Sequence, residues 1–172
     1  MPNWLYKNTE ISELSQFPSA AVGFVYLITN TTNGKVYVGK KILHNRLTKK
    51  LTKKEISEWE KPGRVPKKKK IVKESNWLEY NGSNQNLLED IKNLGINHFT
   101  KEILEICYTK KQLTYYEEYW QFKLEVLHTD AYNDSIAGRF FKRDVKKNPE
   151  LHPSNPEYHN SGSIDSLFAS LK

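Results

Sequence analysis

Gly23-Phe-Val-Tyr-Leu-Ile-Thr-Asn-Thr-Thr-Asn-Gly-Lys-Val-Tyr-Val-Gly39 is the stretch that decides the fold. Two runs of β-branched and aromatic residues flank Asn33-Gly34. The pattern predicts a hairpin, because Asn-Gly tolerates the φ > 0 that a tight primed turn needs at both central residues. Side chains alternate along each strand, so any even-length loop centred here puts Tyr26 and Tyr37 on one sheet face. Gly39 closes the second strand without a side chain, which lets another group approach the backbone. Singly, each tyrosine reads as strand packing; two phenols on one face beside that glycine mark a candidate site.

The residues leaving the hairpin are cationic. Residues 40–73 hold 14 Lys and Arg against Glu55, Glu58 and Glu60, a net of +11; the whole chain carries +7, which leaves about −4 elsewhere. Charge concentrated on one segment of a near-neutral body points to a polyanion, most simply nucleic acid. A solvated lysine-rich loop is the plainer alternative. Lys40, Lys41, His44 and Arg46 follow Gly39 directly. Lys49, Lys50, Lys53, Lys54, Arg64, Lys67, Lys68, Lys69, Lys70 and Lys73 continue the run, and Arg139, Lys142 and Arg143 form a smaller cluster. These are the candidate phosphate contacts, and residues 64–73 read as a mobile basic loop or an extended arm.

Local signals place the remaining elements. Residues 1–21 read as an N-terminal wrap that docks on the core, with Thr9 or Ser12 capping a short helix and Pro18 ending it. Thr52-Lys-Lys-Glu55 is a capping box for a helix over about 52–60. Ser83 or Asn84 caps a helix bearing Leu87, Leu88, Ile91 and Leu94 on one face, closed by Gly95. Residues 99–107 read as a third strand. Thr109-Lys-Lys-Gln112 opens the longest helix, about 110–127, whose Leu113, Tyr116, Trp120, Leu124 and Leu127 form one apolar stripe. Glu117 falls within that stripe, and a buried carboxylate is rare unless paired; it is either satisfied by a Tyr or Lys or functional. Residues 148–172 read as a polar, proline-punctuated linker followed by a short amphipathic helix at Ile164, Leu167, Phe168 and Leu171. That tail is a candidate contact for a second copy or another protein.

With 172 residues and 37% hydrophobic content, one domain is expected. The fold class is α/β (α+β): a small three-stranded antiparallel sheet flanked by helices over 22–147, with the basic insertion at about 40–73. A single cysteine, Cys107, excludes a disulfide framework and reads as a buried inert thiol. No apolar run is long enough to span a membrane, and Met1-Pro2-Asn3-Trp4 does not resemble a secretory leader. A cytoplasmic, non-secreted protein is therefore expected. The five histidines lack zinc-ligand spacing, and no phosphate-binding glycine loop or nucleophile elbow is present.

What remains is a set of tyrosines, cations, one inward glutamate and Asn133. That set suits phosphodiester hydrolysis. Attack on phosphorus builds charge on the phosphoryl oxygens, which a side-chain cation and a divalent ion both stabilise. Mg²⁺ needs only one or two protein carboxylates, so Glu117 suffices. Tyr26 or Tyr37 becomes a base only if cations lower its pKa from about 10.

Phe24-Val25-Tyr26 and Tyr37-Val38-Gly39 resemble the paired motifs of the GIY-YIG nucleases. Val25 stands where isoleucine is usual, and Gly23-Phe24 where a bare glycine is usual. The resemblance runs over about residues 22–137. It implies the GIY-YIG-like fold and a catalytic set of Tyr26, Tyr37, Arg46, Glu117 and Asn133, with Glu117 holding the metal. Arg46 lies nine residues after Tyr37, one short of the spacing of about ten at which the family places an arginine on a helix; Lys40, Lys41 and His44 are alternatives for its role. Trp77-Leu-Glu-Tyr80-Asn-Gly-Ser83 and the lysine-rich insertion are similar to phage-encoded, stand-alone homing-type members. The resemblance thus implies a metal-dependent endonuclease acting on double-stranded DNA with Mg²⁺, or Mn²⁺ in its place, in a bacterial host cell. A non-catalytic nucleic-acid-binding module on the same scaffold and an RNA-cleaving nuclease are the alternatives.

Overall fold

The computed structural model describes residues 3–60 and 62–145. The linker and amphipathic helix expected over 148–172 lie outside the described residues. Strands β1 (Trp4–Tyr6) and β2 (Thr9–Ile11) come first, then β3 (Gly23–Asn30), β4 (Val36–Ile42) and β5 (His44–Lys50). Helix α1 (Lys53–Ser57), β6 (Lys68–Glu74), α2 (Gln85–Leu94), β7 (Phe99–Cys107) and α3 (Lys110–Lys123) follow. A small hairpin of β8 (Ser135–Ile136) and β9 (Phe140–Phe141) leads into α4 (Lys142–Val145).

The sheet has five strands rather than three, in the order β2-β1-β7-β3-β4. The two extra strands come from the N-terminal wrap. Residues 9–11 form a strand where a helix was expected, and only Leu14–Gln16 make a helical turn, of the 3₁₀ type. The reason lies in burial with a period of two: Trp4 turns fully inward and Leu5 outward. β1 then pairs antiparallel with β2 and parallel with β7, Leu5 opposite Glu102.

β3 and β4 pair antiparallel with Tyr26 opposite Gly39 and Ile28 opposite Tyr37, so the two tyrosines share a face as the even loop requires. The turn itself differs from expectation. Thr31–Gly34 form a four-residue loop closed by the Asn30–Lys35 pair, with only Gly34 at positive φ (74°). Asn side chains stabilise this longer form: Asn30 Oδ1 accepts from the Thr32 amide and hydroxyl, and Asn33 Oδ1 from the Lys35 amide. A two-residue turn with both φ values positive occurs instead at Lys7-Asn8 (49° and 65°), between β1 and β2.

Each sheet face has its own core. One gathers Trp4, Phe24, Tyr26, Ile28, Trp77 and Leu87 under α2 and the 75–83 segment. The other gathers Val25, Val38, Leu113, Val126, Leu127 and Ile136 around α3. The helices obey their local signals: Asn84 caps α2 and Gly95 ends it at φ 89°, while Thr52 with Glu55 and Thr109 with Gln112 form capping boxes. Helix α3 stops at Lys123, earlier than expected, yet Val126 and Leu127 still pack in the turns that follow.

Residues 64–73, expected as a loop or arm, contain strand β6, which pairs with β5 over seven residues to make a separate two-stranded ribbon. One face of that ribbon, His44, Arg46, Thr48 and Lys50 with Lys68, Lys70, Val72 and Glu74, is exposed along its whole length.

Two features of β7 were not anticipated. Lys101 turns inward, with its ammonium donating to the Leu78 carbonyl and lying over the Trp4 ring at 4.3 Å; burial lowers its pKa to about 8. Leu104 is an extra residue opposite the Val25/Tyr26 junction, a bulge beside the tyrosine. Cys107 is buried, and burial pushes its thiol up to about 11, in keeping with an inert role.

Trp4 joins the N-terminal hairpin to the core through its rings and through its indole N–H, which donates to the Trp77 carbonyl at 3.0 Å. Trp4→Ala is expected to cost about 3–5 kcal/mol of stability, read as a lower urea midpoint. Trp4→Phe should keep most of the packing and lose much less.

Candidate active site

The two tyrosines meet at Gly39. Their ring centroids are 6.1 Å apart, and a Cβ on Gly39 would sit 2.4 Å from the Tyr26 hydroxyl and 3.0 Å from Tyr37 Cε1. Only a glycine leaves this space open. Tyr26 is 1% exposed. Tyr37 is half-buried, and its hydroxyl lies 3.2 Å from Ser83 Oγ. Tyr80 meets Tyr26 edge to face at 6.1 Å, and the Lys41 ammonium lies 3.7 Å above the Tyr80 ring while donating to Asn76 Oδ1 at 2.8 Å.

Glu117 lies on α3, which packs on the other face of the sheet, and meets β4 at Lys40. Lys40 Nζ lies 2.8 Å from Glu117 Oε2 and donates to Thr114 Oγ1 at 3.1 Å. The Glu117 side chain is 19% exposed. Thus the inward carboxylate is paired with a lysine, and its negative charge adds to burial in raising the pKa of both phenols.

Asn133 is buried and works on the strand rather than on the tyrosines. Its Oδ1 accepts from the Val38 amide at 2.9 Å and its Nδ2 donates to the Val38 carbonyl at 2.8 Å. The Tyr132 amide donates to the Val36 carbonyl, and Gln121 Nε2 to that of Val38 at 3.4 Å. Together they satisfy the free edge of β4 and fix the backbone between Tyr37 and Gly39.

Arg46 and His44 are placed elsewhere. Where the family has a helix this chain has strand β5, and both side chains are exposed and line a groove with Tyr108 and Lys110. Of the cations after Gly39, Lys40 joins Glu117 and Lys41 joins Tyr80. Among the candidate phosphate contacts, Lys69 ion-pairs with Glu55, Lys54 with Glu58 at 3.9 Å, and Arg143 with Asp144 at 3.8 Å, while the Lys142 ammonium donates to the Ala131 carbonyl. Tyr80, Ser83, Thr114 and Gln121 were assigned no role from sequence. The Trp77–Ser83 stretch was a visible signal for the first two; nothing local marked the others.

The electrostatics contradict a resident phenolate. Burial, then the neighbouring Tyr37, Tyr80 and Glu117, push the Tyr26 pKa well above its ordinary value of 10.0. Burial raises Tyr37 too, against the opposing Ser83 hydrogen bond. Both are neutral phenols near neutral pH.

The donors fit a hydrated divalent ion. Among the described residues no group of three or more His, Cys, Asp or Glu gathers as a metal cage. Glu117 is a single carboxylate, which is what Mg²⁺ asks of a protein when it keeps most of its waters. One turn further along α3, Gln121 Oε1 is buried with no hydrogen-bond partner, an acceptor of the kind that a metal-bound water satisfies.

A family model described as "Putative endonuclease segE, GIY-YIG domain" matches residues 4–145. "Putative endonuclease segD" of Enterobacteria phage T4 is 32% identical over 147 residues, which is 81% of this chain and 47% of that relative. The chain therefore spans about half the length of the curated relative it matches. No solved structure matches. Among the described residues no helix is long and apolar enough to cross a membrane.

The raised Tyr26 pKa has a sign that can be measured. A phenol whose folded pKa lies above its unfolded one stabilises the fold fully below about pH 10, and that contribution is lost as pH rises beyond it. Stability measured between pH 9 and 11.5 should fall less steeply for Tyr26→Phe than for the parent chain. Gly39→Ala should displace the Tyr26 hydroxyl and lower stability by about 1–3 kcal/mol, the scale for overpacking a buried position, read as a lower urea midpoint.

Proposed function

The chain belongs to the GIY-YIG endonuclease family of the segE type, and on that premise we propose that it is a Mg²⁺-dependent DNA endonuclease whose reacting groups are Tyr26, Tyr37, Lys40 and Glu117. The observation that carries the reading is the Glu117–Lys40 ion pair on the strand position next to Gly39, whose own face both phenols crowd. Mn²⁺ is the alternative ion.

Glu117, with the buried Gln121 oxygen behind it, would hold the ion through its waters. When bound, the ion supplies charge for the phosphoryl oxygens and lowers the pKa of water. The chain's own groups do the rest. Lys40, held by Glu117 and Thr114, places a positive charge where the pentavalent phosphorus gathers negative charge. Tyr26 is neutral, so it orients the attacking water and relays its proton: its oxygen takes the water's proton as its own passes to a phosphoryl oxygen, and from there to the leaving oxygen. Tyr37, held by Ser83, is the second hydrogen-bonding phenol. Asn133 is a positioning residue: it fixes Val38 and hence the spacing of Tyr37 and Gly39. Arg46 serves phosphate from the neighbouring groove.

The basic ribbon supports duplex DNA as the substrate. Arg46, Lys50, Lys68 and Lys70 share its exposed face, and Lys49 and Lys73 extend the positive field on the other. A two-stranded ribbon has the cross-section that a major groove admits, and Lys53, Arg64, Lys67, Arg139 and Arg143 add surface charge for the flanking phosphates.

The test is plasmid nicking with and without Mg²⁺. The parent chain should nick, and Glu117→Ala should lower the rate by roughly 10³-fold, the several kcal/mol of a lost metal contribution. Binding without cutting by the parent chain under every divalent ion would leave only a binding module. DNA affinity should fall linearly on a logarithmic salt scale, with each of Lys50→Ala, Lys68→Ala and Lys70→Ala reducing the slope by about 1.

A further inference from the structure

The track formed by β4 and α3 continues past the reacting groups. The two elements run antiparallel: Gln121 meets Val38, Glu117 meets Lys40, and the start of α3 meets the end of β4 at Ile42. There a groove of about 640 Å³ opens, lined by Ala21, Val22 and Ile42, by Tyr108, and by the cations Arg46 and Lys110. Its volume is that of a small-ligand site. No Asp or Glu lines it. Tyr108 is 48% exposed, an aromatic face left to solvent between cations.

We propose that this groove holds a nucleotide of the substrate strand close to the cleaved bond, with its base against the Tyr108 ring and its phosphate on Arg46 and Lys110. An exposed aromatic ring with flanking cations and an apolar wall is how proteins hold an unstacked nucleotide, whatever its base, and a guanidinium matches phosphate geometry. The spacing agrees. Lys40 to Ile42 is two residues of strand, about 7 Å, and Lys110 to Glu117 is seven residues of helix, about 10 Å. Phosphates of a stacked B-form strand recur every ~3.4 Å of axis, and an unstacked nucleotide reaches farther, so the groove lies within three nucleotides of Glu117. The position, though not the chemistry of the groove, rests on the nuclease reading above.

The test uses the full chain carrying Glu117→Ala, to prevent cutting, with gapped duplexes bearing 5-iododeoxyuridine at successive positions around the cleavage site. Irradiation should cross-link one position, within three nucleotides of the cut, to the peptide containing Tyr108. In the same background, Tyr108→Ala should weaken binding of the gapped duplex about 5- to 150-fold. Tyr108→Phe should bind as the parent, and so should Tyr115→Ala, an exposed tyrosine on α3 outside the groove. Cross-links that map only elsewhere, with Tyr108→Ala binding like the parent, overturn the groove even if the parent chain cuts DNA. A Tyr108 cross-link from a chain that never cuts keeps the groove and removes the nuclease reading.

Discussion

The Tyr26 hydroxyl occupies the volume that a side chain at position 39 would need. That exclusion ties together parts of the molecule that share no sequence neighbourhood. It presses the phenol onto the backbone of β4 at Gly39, and the next residue of that strand, Lys40, takes Glu117 of α3 on the opposite sheet face. The family's second motif ends in glycine, and in this chain the reason is steric room for the first motif's tyrosine.

An edge strand is also a liability, because unpaired amides and carbonyls invite another chain. Here the same groups that shape the site remove the liability. Asn133 answers both backbone groups of Val38 with one side-chain amide, Gln121 donates to the same Val38 carbonyl, and the Tyr132 amide takes the Val36 carbonyl. The asparagine thus behaves as a single residue of a sixth strand. Because its partner is the backbone between Tyr37 and Gly39, sealing the edge and setting the spacing of the site are one act.

How much of this could be read in advance divides by range. Capping boxes at Thr52 and Thr109, the Asn84 cap, the Gly95 stop and the apolar stripe of α3 depend on residues within a few positions, and all appear where their patterns lie. The pairing of Tyr26 with Tyr37 followed from parity alone and survived a turn of a different kind. What could not be read was nonlocal. The parallel contact of β1 with β7 joins opposite ends of the domain. The turn at Lys7-Asn8 uses a lysine, which has no turn signature. The role of Lys101 depends on a carbonyl at Leu78, and the placement of Arg46 on a strand depends on pairing with β6. At the site, the inward glutamate was visible from its stripe. Its lysine partner was only one of four cations, because which of them turns toward α3 is decided by the alternation of β4 and not by spacing from Tyr37.

The order of strands in the sheet has a consequence for how the chain is made. β1–β2 and β3–β4 are hairpins that can close from local contacts, but they are not neighbours; β7 separates them and must insert between β1 and β3. Until it does, Trp4 and the apolar side of β3 have no common core, and long loops must close before those contacts are rewarded. The basic ribbon precedes β7 in the chain, whereas Glu117 and Asn133 follow it. A ribosome-bound chain therefore presents its positive ribbon well before the tyrosines, Glu117 and Asn133 can be brought together. The charged surface precedes the assembled site, and the last strand of the main sheet is the gate between them.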